Sequence, residues 1–184
     1  MNSKFDEENI LEQLKHPTTH RSAFEKIVQQ FSPQLYWQIR RMVFSHDDAN
    51  DLLQETLIAA WKNIDYFRGE SSLATWLYRI AMNQCLNFLN KRNAGKTVSL
   101  DDEGETVMNT LESDPYFNGD RVQLLLQKAL ASLPPKQRMV FNFRYYEDMT
   151  FTDMSLFLGT SVGALKADYH HAVKKIKKFF EDND

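Results

Sequence analysis

The stretch that decides the fold is TFTDMSLFLGTSVGALKADYHHAVKKIKKFF, residues 150–180. Two helical patterns meet in it at Gly159, because glycine readily enters the left-handed backbone region that ends a helix. Thr150 is followed three residues later by Asp153, a capping-box pattern that predicts the start of the first helix. The stretch therefore predicts two short helices joined by a tight turn.

The second helix of this pair has an apolar side and a basic side. Its cap is Thr160 or Ser161, because a hydroxyl can accept a free backbone N–H at a helix start. At three- and four-residue spacing, the apolar side reads Leu165, Tyr169, Ala172, Val173, Ile176 and Phe180. The open side carries Lys166, His170, His171, Lys174, Lys175 and Lys178.

The spacing of Ser155, Gly159 and Leu165 is that of a helix-turn-helix. The small residue lets the helices cross closely, and the apolar residue locks the second helix onto the first. The second helix of such a motif can enter the major groove of DNA. The competing interpretation is an ordinary helical hairpin with a solvated lysine face; the spacing favours DNA binding.

Composition limits the fold and the location of the chain. Its 184 residues allow one domain or two small ones, and six glycines with five prolines leave long helical patterns, so we expect an all-α fold. The single Cys85 cannot form an internal disulfide, which fits a reducing, cytoplasmic setting. The charged start lacks the apolar block of a signal peptide, and no apolar run approaches the roughly 20 residues of a membrane span.

Charge is unevenly distributed along the chain. The net charge is −3, whereas a protein that holds DNA alone through phosphates is usually basic. Either the DNA-binding motif is weak by itself, or binding relies on a partner. Residues 99–119 contain six acidic residues and no lysine or arginine, whereas residues 160–180 contain five lysines and one acid. We expect an acidic, flexible linker beside a basic helical domain.

Apolar periodicity divides the chain into two helical domains. Before the linker it predicts helices at about 5–15, 22–43, 48–64 and 73–91, the second of them broken at Ser32-Pro33. After the linker, Leu133-Pro134-Pro135 ends one helix and starts another. The predicted boundaries are 1–97 for the first domain, 98–119 for the linker and 120–184 for the second domain.

Two further stretches could carry function. Asp51, Gln54, Glu55 and Ile58 share one helical face, which is either solvated or a docking surface for a basic partner. The other stretch combines an aromatic, hydroxyl-rich loop with a polar helical stripe. It consists of Phe67, Arg68, Ser71, Ser72 and Thr75, and of Arg79, Asn83 and Asn87. Single-stranded DNA needs such π-faces, hydrogen-bonding groups and cations; the alternative is core aromatics with solvated polar residues.

Together these stretches resemble a known family. The segments DDANDLLQETLIAAWKNIDYFRGESSLATWLYRIAMNQCLNFL and LASLPPKQRMVFNFRYYEDMTFTDMSLFLGTSVGALKADYHHAVKKI resemble the two domains of bacterial RNA polymerase sigma factors of the extracytoplasmic-function group. The resemblance covers roughly residues 20–95 and 120–180. It implies a polymerase subunit that directs promoter recognition and melting, with no catalytic residue, cofactor or metal of its own.

The resemblance also assigns roles in the first domain. Asp51, Gln54 and Glu55, with Ile58 beside them, match the surface that binds the clamp helices of the largest polymerase subunit. The loop 67–75, with Arg79, Asn83 and Asn87, matches the part that melts and reads the −10 element. Promoter DNA and core RNA polymerase are thus the implied partners, and an anti-sigma factor is a further partner that the sequence leaves open.

In the second domain the resemblance points to duplex DNA. The helix from Ser161 matches the part that reads the −35 element, through Lys166, Ala167, His170, His171 and Lys174. The region 136–144 matches the part near the flap of the second-largest subunit, with Arg138 and Arg144 as phosphate or flap contacts. Relatives often have a hydroxyl and a base where this chain has Ala167 and Asp168, and arginines near His170 and His171. Asp168 could repel phosphate or accept a hydrogen bond from cytosine.

Two other classes of protein compete with this interpretation. A stand-alone helix-turn-helix regulator would have no need of both the face around Asp51 and the loop 67–75. An enzyme would need a motif that the sequence lacks, such as a Gly-rich phosphate loop or an activated nucleophile. His170 and His171 are adjacent, so they point about 100° apart around a helix and cannot easily share one metal ion.

Overall fold

The computed structural model describes residues 5–94 and 121–183, and these residues form α-helices joined by short turns. The first half contains α1 (Glu7–Leu14), α2 (His20–Val43), α3 (His46–Asn63), a 3-10 turn (Ile64–Tyr66) and α4 (Leu73–Ala94). The second half contains α5 (Arg121–Ala131), α6 (Pro135–Tyr145), α7 (Phe151–Leu158) and α8 (Val162–Asn183). The described residues contain no strand, and the all-α prediction is confirmed. The predicted linker, residues 98–119, lies outside the described residues.

Helix α2 contradicts the predicted break at Ser32-Pro33, because it runs unbroken from His20 to Val43 with Pro33 inside it. A proline within a helix removes one backbone hydrogen bond and costs about 3 kcal/mol. Here the flanking turns are held by burial, since Phe31 and Leu35 both lie in the core. Ser32 also donates its hydroxyl to the carbonyl of Val28 at 2.6 Å. Tertiary packing therefore overrides the local signal.

The first half is built around α2, which packs against α1, α3 and α4. Its core is mostly aliphatic, as expected for helices whose apolar residues recur at three- and four-residue spacing. The side chains with no exposed surface include Ile27, Leu35, Ile39, Leu73 and Leu77. Cys85 of α4 is also fully buried, and burial raises the pKa of its thiol to about 12. The thiol is therefore protonated, and unreactive, in the folded protein at neutral pH.

The second half contains the predicted helix-turn-helix, formed by α7 and α8. Thr150 accepts a hydrogen bond from the backbone N–H of Asp153 at 3.1 Å, so the predicted cap is confirmed. Gly159 has a φ of 63°, the left-handed value expected at the end of α7. Ser161 caps α8, because its hydroxyl accepts from the N–H of Ala164 at 3.3 Å. Leu165 is 1% exposed and locks α8 onto α7 as predicted.

The two halves pack against each other, with α2 and α4 on one side and α6 and α7 on the other. Met139, Phe143 and Phe157 join the apolar core of the first half. In return Phe44, the residue after α2, is buried among apolar residues of α5, α6 and α8. Phe44 has a φ of 62°, a conformation that costs a residue with a side chain about 1–2 kcal/mol. Burial of its ring in the second half offsets that strain.

Arg138 of α6 lies at this junction and is only 2% exposed. Its guanidinium donates to four backbone carbonyls, those of Leu130, Ala131 and Leu133 in the second half and that of Met42 in α2. The bond to Met42 is 2.6 Å long and crosses between the halves. A guanidinium is always charged, so burying it is tolerated only when its donors are satisfied in this way.

Within residues 5–94 and 121–183, no helix combines the length and the apolar character needed to cross a bilayer.

Replacing Arg138 should destabilise the protein more than replacing any exposed base on the same helix. We expect Arg138→Met to lower the free energy of unfolding by about 2–4 kcal/mol, because it leaves buried carbonyls without donors. Arg138→Lys should recover only part of the loss, since an ammonium cannot reproduce the planar fork. Urea unfolding followed by circular dichroism measures both. Lys136→Ala, at an exposed position of α6, is the control; a loss no larger than in this control would contradict the assignment.

Candidate nucleic-acid and partner interfaces

The predicted docking surface lies on one exposed side of α3. Asp51, Gln54 and Glu55 are exposed, and Ile58 has 54% of its surface exposed. Ser45 starts the helix by accepting from the N–H of Asp48 at 3.2 Å. The opposite side is buried through Leu52, Thr56 and Ala60. We call Asp51, Gln54, Glu55 and Ile58 the docking face.

Trp61 extends this surface in a way that the sequence analysis missed. Its side chain is 42% exposed. One side of its indole packs edge-on against Phe24 and His20, with ring centroids 4.9 and 5.0 Å away. The other side is open, one helical turn beyond Ile58. Two exposed apolar side chains beside acids and an amide are typical of an interface that a partner covers.

The predicted single-strand site is a loop that ends in a capped helix. We call residues 67–75 the opening loop. Gly69 has a φ of 70°, a backbone conformation that favours glycine. Phe67 packs against Trp76 with ring centroids 5.4 Å apart, and Ser72 accepts from the N–H of Thr75 at 3.2 Å. Arg68 is largely exposed and lies 4.0 Å from Glu70, an ion pair that solvent screens. The loop is thus anchored at both ends and exposed between them.

Arg79, Asn83 and Asn87 are exposed along α4, and we call them the reading stripe. Between the opening loop and α7 lies an open cavity of about 680 Å³, lined by both aromatic and charged side chains. On its far side Arg79 donates to the carbonyl of Leu156 at 3.0 Å. A smaller groove beside it also joins Asn83 to α7. The first helix of the helix-turn-helix therefore lies against the beginning of the reading stripe.

Helix α8 presents the predicted duplex-reading residues to solvent. Exposed side chains are those of Lys166, Ala167, His170, His171 and Lys174, and Ser161 is exposed as well. The hydroxyl of Ser161 is engaged as the cap of α8. The rings of His170 and His171 lie 6.1 Å apart at an angle of 67°, so they do not converge. Asp168 is half-buried beside this face.

The structure separates the two arginines that the resemblance paired. It contradicts a DNA or flap contact for Arg138, because that side chain is buried and bonded to backbone carbonyls. The sequence could not signal this, since an arginine on a short helix normally lies at the surface. Arg144 is different: its side chain is 38% exposed and bonds Asp148 at 3.0 Å. Arg144 therefore stays a candidate contact.

Glu7 is a residue that the sequence analysis missed altogether. Its carboxylate on α1 accepts a hydrogen bond from the N–H of Leu73, the first residue of α4, at 2.8 Å. The two residues are far apart in the chain, and no local pattern links them. Only the packing of α1 against α2 brings Glu7 to the opening loop.

Two family models match the chain, one in each half. Sigma-70 region 2 matches residues 27–95, and a Sigma-70 region 4 model matches residues 123–176. The first match contains the docking face, the opening loop and the reading stripe, and the second contains the helix-turn-helix. The chain belongs to the sigma-70 family. It is a sigma factor that directs promoter-specific transcription initiation, and the alternative of a stand-alone regulator is not supported.

Similar proteins place this sigma factor in the extracytoplasmic-function group. It is 28% identical over 170 residues to the ECF RNA polymerase sigma factor SigW of Bacillus subtilis, covering 88% of this chain and 91% of that protein. It is 27% identical over 166 residues to the RNA polymerase sigma-H factor of Pseudomonas aeruginosa, covering 86% of each.

Solved structures share the fold. The sigma factor RpoE of Bartonella quintana, in complex with the anti-sigma factor NepR, has a TM-score of 0.67 at 23% identity, covering 86% of this chain and 96% of that one. CnrH, in complex with the cytosolic domain of CnrY, has a TM-score of 0.65 at 19% identity, covering 97% and 99%.

Proposed function

We propose that the docking face of this sigma factor binds the clamp helices of the largest polymerase subunit. The observation that supports the proposal is that all four of its side chains are exposed on one side of α3, opposite a buried side. Acidic residues give complementarity to a basic partner, and Ile58 with Trp61 supplies apolar area. Residues 1–97 then act as the domain that docks on polymerase and opens DNA.

The opening loop and the reading stripe would capture the −10 element as a single strand. Duplex DNA hides the Watson–Crick edges, so a protein reads these bases only after they leave the stack. Phe67 and Trp76 offer aromatic surface, and Arg68 and Arg79 offer cations. The cavity beside them is large enough for an unstacked base. Asn83, on the same side of α4, supplies both a donor and an acceptor for a base edge.

Residues 120–184 would read the −35 element as duplex DNA through α8. In this scheme Lys174 contacts phosphate, and Lys166 lies nearer the helix start, where a recognition helix meets base edges. Arg144 is the remaining candidate for a contact with the flap of the second-largest subunit. Members of this family are in general not catalytic enzymes, and this chain would work in the cytoplasm with the polymerase.

An anti-sigma factor is the proposed regulatory partner. The structure of RpoE with NepR is a complex of that kind, and its sigma factor has the same fold as this chain. The exposed apolar side chains Ile58 and Trp61 on α3 offer area for such a partner, which would then compete with polymerase for the docking face.

The two halves would have to separate before both promoter elements are bound. As their names state, the elements are centred about 25 base pairs apart, which is about 85 Å along DNA. A compact chain of this length is only about 40 Å across. Residues 95–120 separate the described halves, and a segment of that length can span at most about 90 Å. A chain with packed halves is therefore too short to reach both promoter elements, and a chain with separated halves can reach them.

Charge reversal on the docking face tests the assignment to polymerase. Asp51→Lys with Glu55→Lys should abolish co-purification with core polymerase and promoter-directed transcription, because two attractive contacts become repulsive. The control is Glu181→Lys with Asp182→Lys, an equal charge change at two exposed positions near the end of α8. Wild-type yields from a folded docking-face variant would refute the assignment. Failure of the wild-type protein to direct transcription from any selected promoter would refute the function itself.

Replacing Asn83 tests base capture separately from recruitment. Asn83→Ala should leave promoter binding intact and lower permanganate reactivity of unpaired −10 thymines about fivefold, roughly the equivalent of one lost hydrogen bond of about 1 kcal/mol. Asn90→Ala, the same change at an exposed position about 10 Å further along the helix from the opening loop, should behave as wild type. Equal opening by the two variants would remove Asn83 from the site, and so would an equal loss of recruitment and opening.

Distance measurements test separation of the halves. Spin labels on Gln30→Cys and Glu181→Cys, both exposed positions, should report a single distance in the free protein and a longer one with polymerase and promoter. The native Cys85 should stay unlabelled, because its thiol is buried and protonated. Adding Phe44→Gly should lengthen part of the distribution in the free protein, because it removes the ring that joins the halves. An unchanged distribution on polymerase would contradict separation.

A further inference from the structure

Helix α1 lies outside the residues that the family models match, since the first match begins at residue 27. It is nevertheless firmly packed on α2. Ile10 is 4% exposed within the core, and Phe5 packs edge-on against Phe31 with ring centroids 5.2 Å apart. Thr19, at the start of α2, donates its hydroxyl to the carbonyl of Gln13 at 2.7 Å. These contacts therefore fix helix α1 in place on α2.

Glu7 uses this fixed position to reach α4. Its Oε1 accepts the N–H of Leu73 at 2.8 Å, in a partly buried contact. The first N–H groups of any helix lack partners within the helix, and a negative charge there is favoured by the helix dipole. Ser72 satisfies the N–H of Thr75, so the two acceptors cap α4 from different parts of the chain.

We propose that Glu7 is a positioning residue for promoter opening, acting through the opening loop. The inference rests on the proposed role of that loop. At its first end, the N–H of Phe67 donates to the carbonyl of Ile64 at 3.0 Å. Near its other end Leu73, the first residue of α4, has no exposed surface and is held by Glu7. The five residues between them make the turn that would face the captured base.

Under this proposal α1 holds the opening loop in position, whereas the reading stripe contacts DNA itself. The stripe lies on a rigid helix and needs no brace, whereas the loop contains Gly69 and is mostly exposed. Without the bond from Glu7, the first turn of α4 would fray and the loop would sample several arrangements. Capture of a single-stranded base would then weaken, while docking on polymerase and reading of duplex DNA by α8 would not change.

Two substitutions at Glu7 and one at Glu8 separate positioning from general destabilisation. Glu7→Ala removes the acceptor, and Glu7→Gln keeps an acceptor oxygen while removing the charge. Glu8→Ala removes the same charge from the same helical turn, at an exposed position that does not cap α4. The measurements, all with holoenzyme, are affinity for a single-stranded −10 oligonucleotide, affinity for a duplex −35 fragment, permanganate reactivity of a full promoter, and the melting temperature of each free variant.

We expect Glu7→Ala to weaken binding of the −10 oligonucleotide and promoter opening by about three- to tenfold, which brackets the effect of losing a typical helix cap. Binding of the −35 fragment and of core polymerase should stay at wild-type values. Glu7→Gln should recover most of the loss, and Glu8→Ala should match wild type. Equal effects of Glu7→Ala and Glu8→Ala, or equal losses on both DNA fragments, would overturn the proposal. If wild-type holoenzyme itself failed to bind the −10 oligonucleotide, the result would refute the proposed role of the opening loop in base capture.

Discussion

The rest of the packing depends on one buried cation, the guanidinium of Arg138. Removing such a charge from water costs several kcal/mol, so its N–H donors need hydrogen-bond acceptors inside the protein. It finds them in backbone carbonyls that the end of α5 and the end of α2 leave open. The same side chain therefore closes the α5–α6 turn and joins the two halves. With α6 held against α2, α7 comes to lie on α4 and its Leu156 carbonyl meets Arg79.

The junction between the halves combines strong and weak contacts. Phe44 and Arg138 stack at 4.9 Å, and Arg41 pairs with Glu147 at 2.8 Å. Against these, Gln38 is 6% exposed, and neither its amide nitrogen nor its amide oxygen has a hydrogen-bond partner in the described structure. An orphaned buried polar group costs about 1–3 kcal/mol, and the left-handed backbone of Phe44 adds strain. Such a junction can be specific in geometry and still open without unfolding either half.

Local patterns predicted the elements of the fold, and long-range contacts decided what the patterns missed. Thr150, Gly159 and Ser161 mark helix ends through bonds within a few residues, so the helix-turn-helix could be predicted from sequence. Pro33 was misinterpreted because its cost is local and the burial that outweighs it is not. Glu7 was missed for the same reason, because its partner Leu73 lies far away in sequence. Three of the four carbonyls that Arg138 contacts are only five to eight residues away, but they lie across the α5–α6 turn, and no helical spacing signals them. Exposed faces at helical spacing, such as the docking face, were predictable because exposure follows from what the opposite side buries.

Charge and packing together suggest an order of events for this sigma factor. With a net charge of −3, the chain gains little from phosphate contacts by itself, although α8 is basic. In the packed form Arg79, the first cation of the reading stripe, is already bonded to a backbone carbonyl of α7. The docking face, by contrast, is exposed in that form and needs no rearrangement to meet a partner. Under the proposed assignments, polymerase can therefore bind before the halves separate, and separation then frees Arg79 from the Leu156 carbonyl.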